Sequence, residues 1–323
     1  MRNELIFFSL KEIYIIFSIL FVNISYNKII NQKIAVAYGL DNKYTYTTLL
    51  SMISILENAS RYTFYTFYLL VEKNLFKQEN KDKLMHLEDK YEKCKIIILE
   101  LTNENLINAR TNRYPMAAYY RLLLPDLITD FNRVIYLDGD TLFFTDLTEM
   151  FNLEMNNNII LGFLDNSHEK AKEFGIKTYK YVTSGVLLIN LKKLRKENIT
   201  AKFFDFIEDN KDKLEQEDQT VINIVLHGRI DLLPPKYGMW NFVKREDLIK
   251  HNGYGNINSN IKAYDEKELF KAWKVPSIIH YVRAKPWKRK DSYTHREFSE
   301  KWWDYAKKSD EFEHILKYYG GKK

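Results

Sequence analysis

The chain has 323 residues, of which 46% are hydrophobic, 28% charged and 15% aromatic. Those proportions exclude a disordered segment, a collagen and a multi-span membrane protein, and the length suits one large α/β domain or two modest ones. The formal net charge of +6 is below that of a dedicated nucleic-acid binder. It is unevenly placed, since residues 281–323 hold 12 basic and 7 acidic side chains while the rest of the chain holds 37 and 36. The single cysteine, Cys94, excludes an intrachain disulfide and a cysteine-rich zinc site. Its default role is a small buried apolar side chain.

Residues 5–22, LIFFSLKEIYIIFSILFV, are strongly apolar but interrupted by Lys11 and Glu12. On an insertion scale the two charges cost about 5–6 kcal/mol, and the large apolar residues return about 4–8 kcal/mol. The segment 1–31 is therefore read in three ways: an uncleaved signal anchor, a helix lying on a membrane, or an extra helix on the domain. The sequons at Asn23, Asn58 and Asn198 are compatible with a secretory-pathway protein.

From Lys33 onward, short apolar runs alternate with amphipathic stretches. The runs are KIAVAY (33–38), FYTFYLLV (64–71), KIIIL (95–99), RVIYL (133–137), IILGFL (159–164) and SGVLLIN (184–190). Unbroken apolar runs of strand length mean strands buried on both faces, as in a largely parallel sheet between helix layers. Helical patterns fall at about 46–58, 75–91, 115–124 and 199–210. This β-α-β-α order predicts a doubly wound α/β domain over 32–290, with ligands at the carboxyl ends of the strands. No internal repeat or Pro/Gly linker divides the chain, and residues 291–323 read as a C-terminal extension.

The stretch RVIYLDGDTLFF (133–144) runs a hydrophobic strand straight into Asp138-Gly139-Asp140. Carboxylates at i and i+2 of an extended backbone project to one side and can share a divalent cation. Two like charges at the end of a buried strand are costly without such a cation. The competing reading is an Asp-Gly hairpin turn. A second apolar strand, SIIHYVRAKPWK (277–288), reaches His280, with Arg283 and Lys285 close behind. Two carboxylates and one imidazole suit manganese, whereas magnesium ordinarily prefers oxygen alone. A cation beside Lys285 and Arg283 suits a diphosphate, whose leaving-group charge metal and ammonium would both stabilise. A satisfied core histidine is the alternative for His280.

Taken together, IAVAYGLDNKYTYTTLLSMISILEN, AAYYRLLLPDLI, YLDGDTLFF, TSGVLLINL, QEDQTVIN and HYVRAKPWK resemble glycosyltransferase family 8, over about residues 33–319. The resemblance implies a GT-A fold, a Rossmann-like mostly parallel mixed sheet between helix layers. It also implies transfer of a hexose, glucose or galactose, from a UDP-sugar with retention, using Mn2+ with Mg2+ as the alternative. By position, Asp138, Asp140 and His280 would hold the metal and Lys285 the diphosphate. Asp41 and Asn42 would hold the uridine, with Leu40 standing where the family often has another acid. Arg121 would brace the metal carboxylates and the donor sugar; its alternative is a charge on a helix surface. Asp165, Asp218 and Gln219 would surround the transferred sugar, and Asp218 could instead be a solvated acid at a helix start. Thr183-Ser184-Gly185 replaces the family's Asn-Ser/Ala-Gly beside the donor, and Arg283 replaces a glycine near the phosphates. No carboxylate is singled out as the nucleophile of a double displacement, which leaves a front-face route open.

The basic end HREFSEKWWDYAKKSDEFEHILKYY reads as helical. It is either packed on the domain with its lysines in water, or laid on an anionic membrane. No nucleic-acid-binding motif accompanies the charge. The expected partners are a UDP-hexose and a glycan or lipid-linked saccharide acceptor at a membrane, reached through the N-terminal segment or the basic tail. A soluble cytoplasmic enzyme is the alternative location. The alternative functions are a nucleotide-sugar hydrolase and a sugar-nucleotide-binding protein that has lost catalysis.

Overall fold

Alternate residues of the first apolar run face two different cores, and this sets the layering of the molecule. The computed structural model describes residues 32–102, 116–165, 173–174, 180–210, 214, 217–241, 256–258, 261–262, 264–282, 285–288 and 296–319. The N-terminal apolar segment, Asn23 and Arg283 lie outside them. The strands are β1 Gln32–Gly39, β2 Thr63–Glu72, β3 Cys94–Leu101, β4 Val134–Leu137, β5 Thr141–Phe143, β6 Ile160–Leu164, β7 Val182–Ile189, β8 Ile230–Leu232, β9 Met239–Trp240, β10 Asn256–Asn258, β11 Ile261–Lys262 and β12 Ile278–His280. The helices are α1 Thr45–Glu57, α2 Gln78–Met85, α3 Leu87–Lys90, α4 Leu124–Leu127, α5 Thr148–Phe151, α6 Leu191–Lys196, α7 Ile199–Asn210, α8 Glu217–Val225, α9 Glu266–Lys274, α10 Arg296–Lys308 and α11 Phe312–Tyr318.

Along β1, Ile34, Val36 and Tyr38 enter a core shared with α1, α10 and α11. Ala35 and Ala37 enter a second core with α6, α7 and α8. Period-two alternation with both faces apolar is why Ile34–Ala37 carries no polar position. The seven-stranded sheet has the order β3-β2-β1-β4-β7-β6-β8. Its pairs are parallel except those of β7, which runs antiparallel to β4 and to β6. The fold is the expected mixed, mostly parallel α/β arrangement. A second sheet, β5-β12-β9, stands beside the carboxyl end of β4.

Two helical expectations change in detail. The pattern at 75–91 is divided at His86 into α2 and α3. The pattern at 115–124 is a 3-10 helix, Met116–Leu123, followed by the short α4. The three-residue period of a 3-10 helix puts Ala118 and Arg121 on one face, and Arg121 Nε donates to the Ala118 carbonyl at 2.9 Å.

The aromatic side of the basic tail packs inward. Phe298, Trp302, Tyr305 and Ile315 belong to the α1-side core, with Trp302 only 1% exposed. Lys301, Lys307, Lys308 and Lys317 remain exposed. Asn58 of the second sequon is bonded to Ser54 O (2.8 Å), Phe143 O (3.1 Å) and the Tyr305 hydroxyl (2.8 Å). Among the described residues, no helix is long and apolar enough to cross a membrane.

Candidate active site

β4 and β5 are consecutive in the chain but do not pair with each other, so Asp138-Gly139-Asp140 is not a hairpin turn. β4 pairs with β1 and β7, and β5 with β12. The chain crosses here from the large sheet to the small one. Asp138 N donates to Gly185 O of β7 at 2.8 Å, and Tyr281 N donates to Asp140 O at 2.9 Å. Thr141 lies opposite His280 in the β5–β12 ladder, and its hydroxyl closes the turn onto Asp138 O at 2.8 Å. This pairing brings His280 to two acids far from it in sequence. Gly185 is needed for the approach, because a Cβ there would overlap the His280 ring and the Asp138 carboxylate.

One ligand atom from each of Asp138, Asp140 and His280 lies within 4.8 Å of the others. His280 Nε2 is 3.2 Å from Asp140 Oδ1 and 3.7 Å from Asp138 Oδ2. Asp140 and His280 are buried. Asp140 Oδ1 and His280 Nδ1 make no hydrogen bond of good geometry among the described residues. A buried carboxylate oxygen left over beside an imidazole and a second carboxylate is a donor set that fits a divalent cation.

The charges around it are balanced. Burial alone would push the Asp140 carboxyl up, but the Lys285 ammonium and His280 outweigh it and hold the group well below the usual carboxylate range. Lys285 Nζ donates to Asp140 Oδ2 and to Tyr281 O. Arg121 is not a helix-surface charge. It is 7% exposed, donates through Nη2 to Asp138 Oδ1 at 3.1 Å and through Nη1 to Ser184 O, and its Nε lies 3.1 Å from Asp218 Oδ2. Its guanidinium also stacks over Tyr136, 4.2 Å from the ring centre.

Asp218, in the first turn of α8, is buried rather than solvated. Burial pushes its carboxyl up, against the opposing pull of Arg121 and the Ser184 hydroxyl. Gln219 joins two strand ends: its Oε1 accepts from Ser184 N and its Nε2 donates to Asp165 Oδ2, both at 3.2 Å. Thr183, buried in β7, accepts weakly from Gly185 N at 3.5 Å. Asp138, Asp140, His280, Lys285, Arg121, Asp218, Ser184, Gly185, Gln219 and Asp165 thus form one continuous polar cluster at the strand ends.

Asp41 and Asn42 sit next to it, after β1. Asp41 Oδ1 caps the following turn, accepting from Lys43 N at 2.8 Å and Tyr44 N at 3.1 Å. The Asn42 amide clamps the loop before α2. It donates to Leu75 O at 2.8 Å and accepts from Lys77 N at 2.9 Å and Asn80 Nδ2 at 2.8 Å. Both side chains therefore shape the loop itself. Tyr44 was not singled out by sequence reasoning; Asp140 first, then burial and Asp138, push its phenol far up, as a ring close to these acids would be. The available signal was an aromatic residue two positions after the Asp41-Asn42 pair.

A family model described as Glycosyl transferase family 8 matches residues 35–291. The chain is 29% identical over 229 residues to lipopolysaccharide 1,2-glucosyltransferase of Escherichia coli, covering 68% of this chain and 66% of that protein. It is 30% identical over 188 residues to general stress protein A of Bacillus subtilis (strain 168), covering 56% and 62%. The matched region thus spans slightly less than two thirds of either relative. In fold it resembles the galactosyltransferase LgtC, solved in complex with donor and acceptor sugar analogs, with a TM-score of 0.72 and 20% identity over 88% of this chain and 100% of that one.

Proposed function

Because the chain belongs to glycosyl transferase family 8, we propose that it is a retaining, metal-dependent hexosyltransferase, moving glucose or galactose from a UDP-sugar to a hydroxyl of a glycan or glycolipid. The observation that carries the reading is the convergence of Asp138, Asp140 and His280, with ligand atoms within 4.8 Å of one another, at the carboxyl end of a buried strand. These three would hold the metal, Mn2+ in preference to Mg2+ given the imidazole. When bound, such a cation supplies positive charge to the diphosphate leaving group.

The contacts of the neighbouring residues support a role for each. Lys285 brings an ammonium to the same edge of Asp140 and binds the diphosphate. Arg121 locks Asp138 and Asp218 in place with one guanidinium. Asp165, Gln219, Thr183, Ser184 and Gly185 line the sugar side, where Gln219 is oriented by bonds at both ends. Asp41, Asn42 and Tyr44 form the nucleoside side. Asp218 is a poor nucleophile, since its carboxylate is tied to Arg121 and the Ser184 hydroxyl, so it holds sugar hydroxyls. This favours the front-face route. The bond from the anomeric carbon to phosphate oxygen breaks as the bond to the acceptor oxygen forms on the same face, and the acceptor proton passes to the leaving phosphate.

The acceptor reading draws on the lipopolysaccharide enzyme to which the chain is similar. Membrane association would rest mainly on the exposed lysines of α10 and α11, because Phe298, Trp302 and Tyr305 are spent on the core and Tyr318 alone of the aromatic residues there stays exposed. The test is UDP release across a panel of UDP-sugars, with manganese and with chelator. Manganese-dependent release that grows on adding acceptor is expected. Release indifferent to any acceptor would favour the donor hydrolase, and none from any donor would favour a binding protein.

A further inference from the structure

We infer that Tyr319, which follows α11, is a donor-binding residue whose phenol O–H donates to an anionic oxygen of the bound nucleoside diphosphate. The inference rests on the donor site proposed above and makes the C-terminal helices one of its walls.

Tyr319 lies on the diphosphate side of the site. Its ring is 5.4 Å from Trp287 and 5.9 Å from Trp302. Trp287 carries the Lys285 ammonium 6.0 Å from its ring centre, and that ammonium is the one bonded to Asp140. The Tyr319 hydroxyl is buried and makes no hydrogen bond of good geometry among the described residues. The Thr47 hydroxyl beside it donates to Tyr44 O, at 2.9 Å, and its oxygen approaches the phenol without completing a hydrogen bond of good geometry. A buried hydroxyl without a partner is costly, and its usual explanation is a ligand or water that completes it. Burial, the neighbouring Tyr318 and Tyr46, and Asp140 keep the phenol protonated, which is the form that donates.

The helices are built to hold this residue in place. The Tyr305 hydroxyl of α10 bonds Asn58 at 2.8 Å and donates to Phe143 O at 3.2 Å. Trp303 Nε1 donates to Pro286 O at 3.2 Å, one residue beyond Lys285. α10 is thereby docked on β5, which directly follows Asp140, and on the Lys285 loop. Tyr318 reaches Tyr46 across a ring distance of 5.3 Å, tying the end of α11 to the start of α1.

The test is Tyr319→Phe, which keeps the ring and removes only the hydroxyl. Binding of UDP and of uridine is measured in manganese for the full-length wild type and the variant, together with the ligand-free Tm. Loss of a hydrogen bond to a charged oxygen should weaken UDP binding about tenfold or more, leave uridine binding unchanged, and leave the ligand-free Tm at the wild-type value. UDP binding equal to wild type would overturn the inference while the donor site stands. Equal weakening of uridine, or a clear drop in ligand-free Tm, would overturn it too, by assigning the hydroxyl to the nucleoside or to folding. Failure of the wild type to bind UDP would instead remove the donor site and the inference with it.

Discussion

Replacing Arg121 by methionine asks whether one guanidinium makes this group of acids foldable. The side chain serves Asp138, Asp218 and two backbone carbonyls from a buried position. Methionine occupies similar volume but leaves Asp218 buried without its counter-ion. Breaking a buried pair in this way costs about 3–5 kcal/mol, or about 6–10 °C in Tm at roughly 2 °C per kcal/mol for a chain of this size. The pH dependence has a definite sign. Burial already pushes the Asp218 carboxyl up with Arg121 pulling against it, so removing Arg121 raises it further. Between the unfolded and folded values the native state then holds a proton that the unfolded chain has released, and stability falls as pH rises through that window. The penalty should therefore be larger at pH 7 than at pH 5. Urea unfolding of wild type, Arg121→Met and Arg121→Lys at both pH values, in chelator, measures it. Lysine should recover part of the loss. A methionine variant within about 1 kcal/mol of wild type at pH 7, well under the range for a broken buried pair, would show that Asp218 does not depend on Arg121, as would an equal loss at both pH values.

Lys285→Met should weaken UDP binding by about 10- to 100-fold, the range of a hydrogen bond to a charged group, while manganese binding measured without nucleotide persists; loss of both would show that Lys285 builds the metal site. Asn58→Ala removes bonds to α1, β5 and α10 at once, so urea unfolding should show a loss of about 1–3 kcal/mol, and a loss near zero would show those bonds to be incidental. Burial, with Glu88 adding to it, pushes the Cys94 thiol up to about 12, so a disulfide reagent at pH 8 should titrate it only after denaturation; rapid native-state labelling would contradict its burial.

Six of the seven strands of the large sheet were legible because each carries an unbroken apolar run of four or more residues, a pattern that burial in the centre of a sheet demands; the edge strand β8, three residues with Asp231 in the middle, was not. The reversal of β7 was not, since SGVLLIN is as apolar as its parallel neighbours and hydropathy carries no direction. Strands β5 and β9 hold three and two residues, too few for any period to show. At the site, Asp138-Gly139-Asp140 stood out because two acids interrupt a buried strand. That His280 meets them depends on the antiparallel pairing of β5 with β12, a long-range contact that no local pattern encodes. Tyr319 was visible only as one aromatic residue among many in an amphipathic tail. Its nearness to Lys285 comes from the docking of α10 on β5, which rests on Asn58 and Tyr305, residues far apart in the chain.

The central claim is that Asp138, Asp140 and His280 hold a divalent cation that carries the donor's diphosphate. Calorimetric titration of UDP into wild type and Asp140→Asn, with and without manganese, tests it most directly. UDP binding should need manganese in the wild type and be lost in the variant. Equal UDP binding by the variant, or by the wild type in chelator, would contradict it.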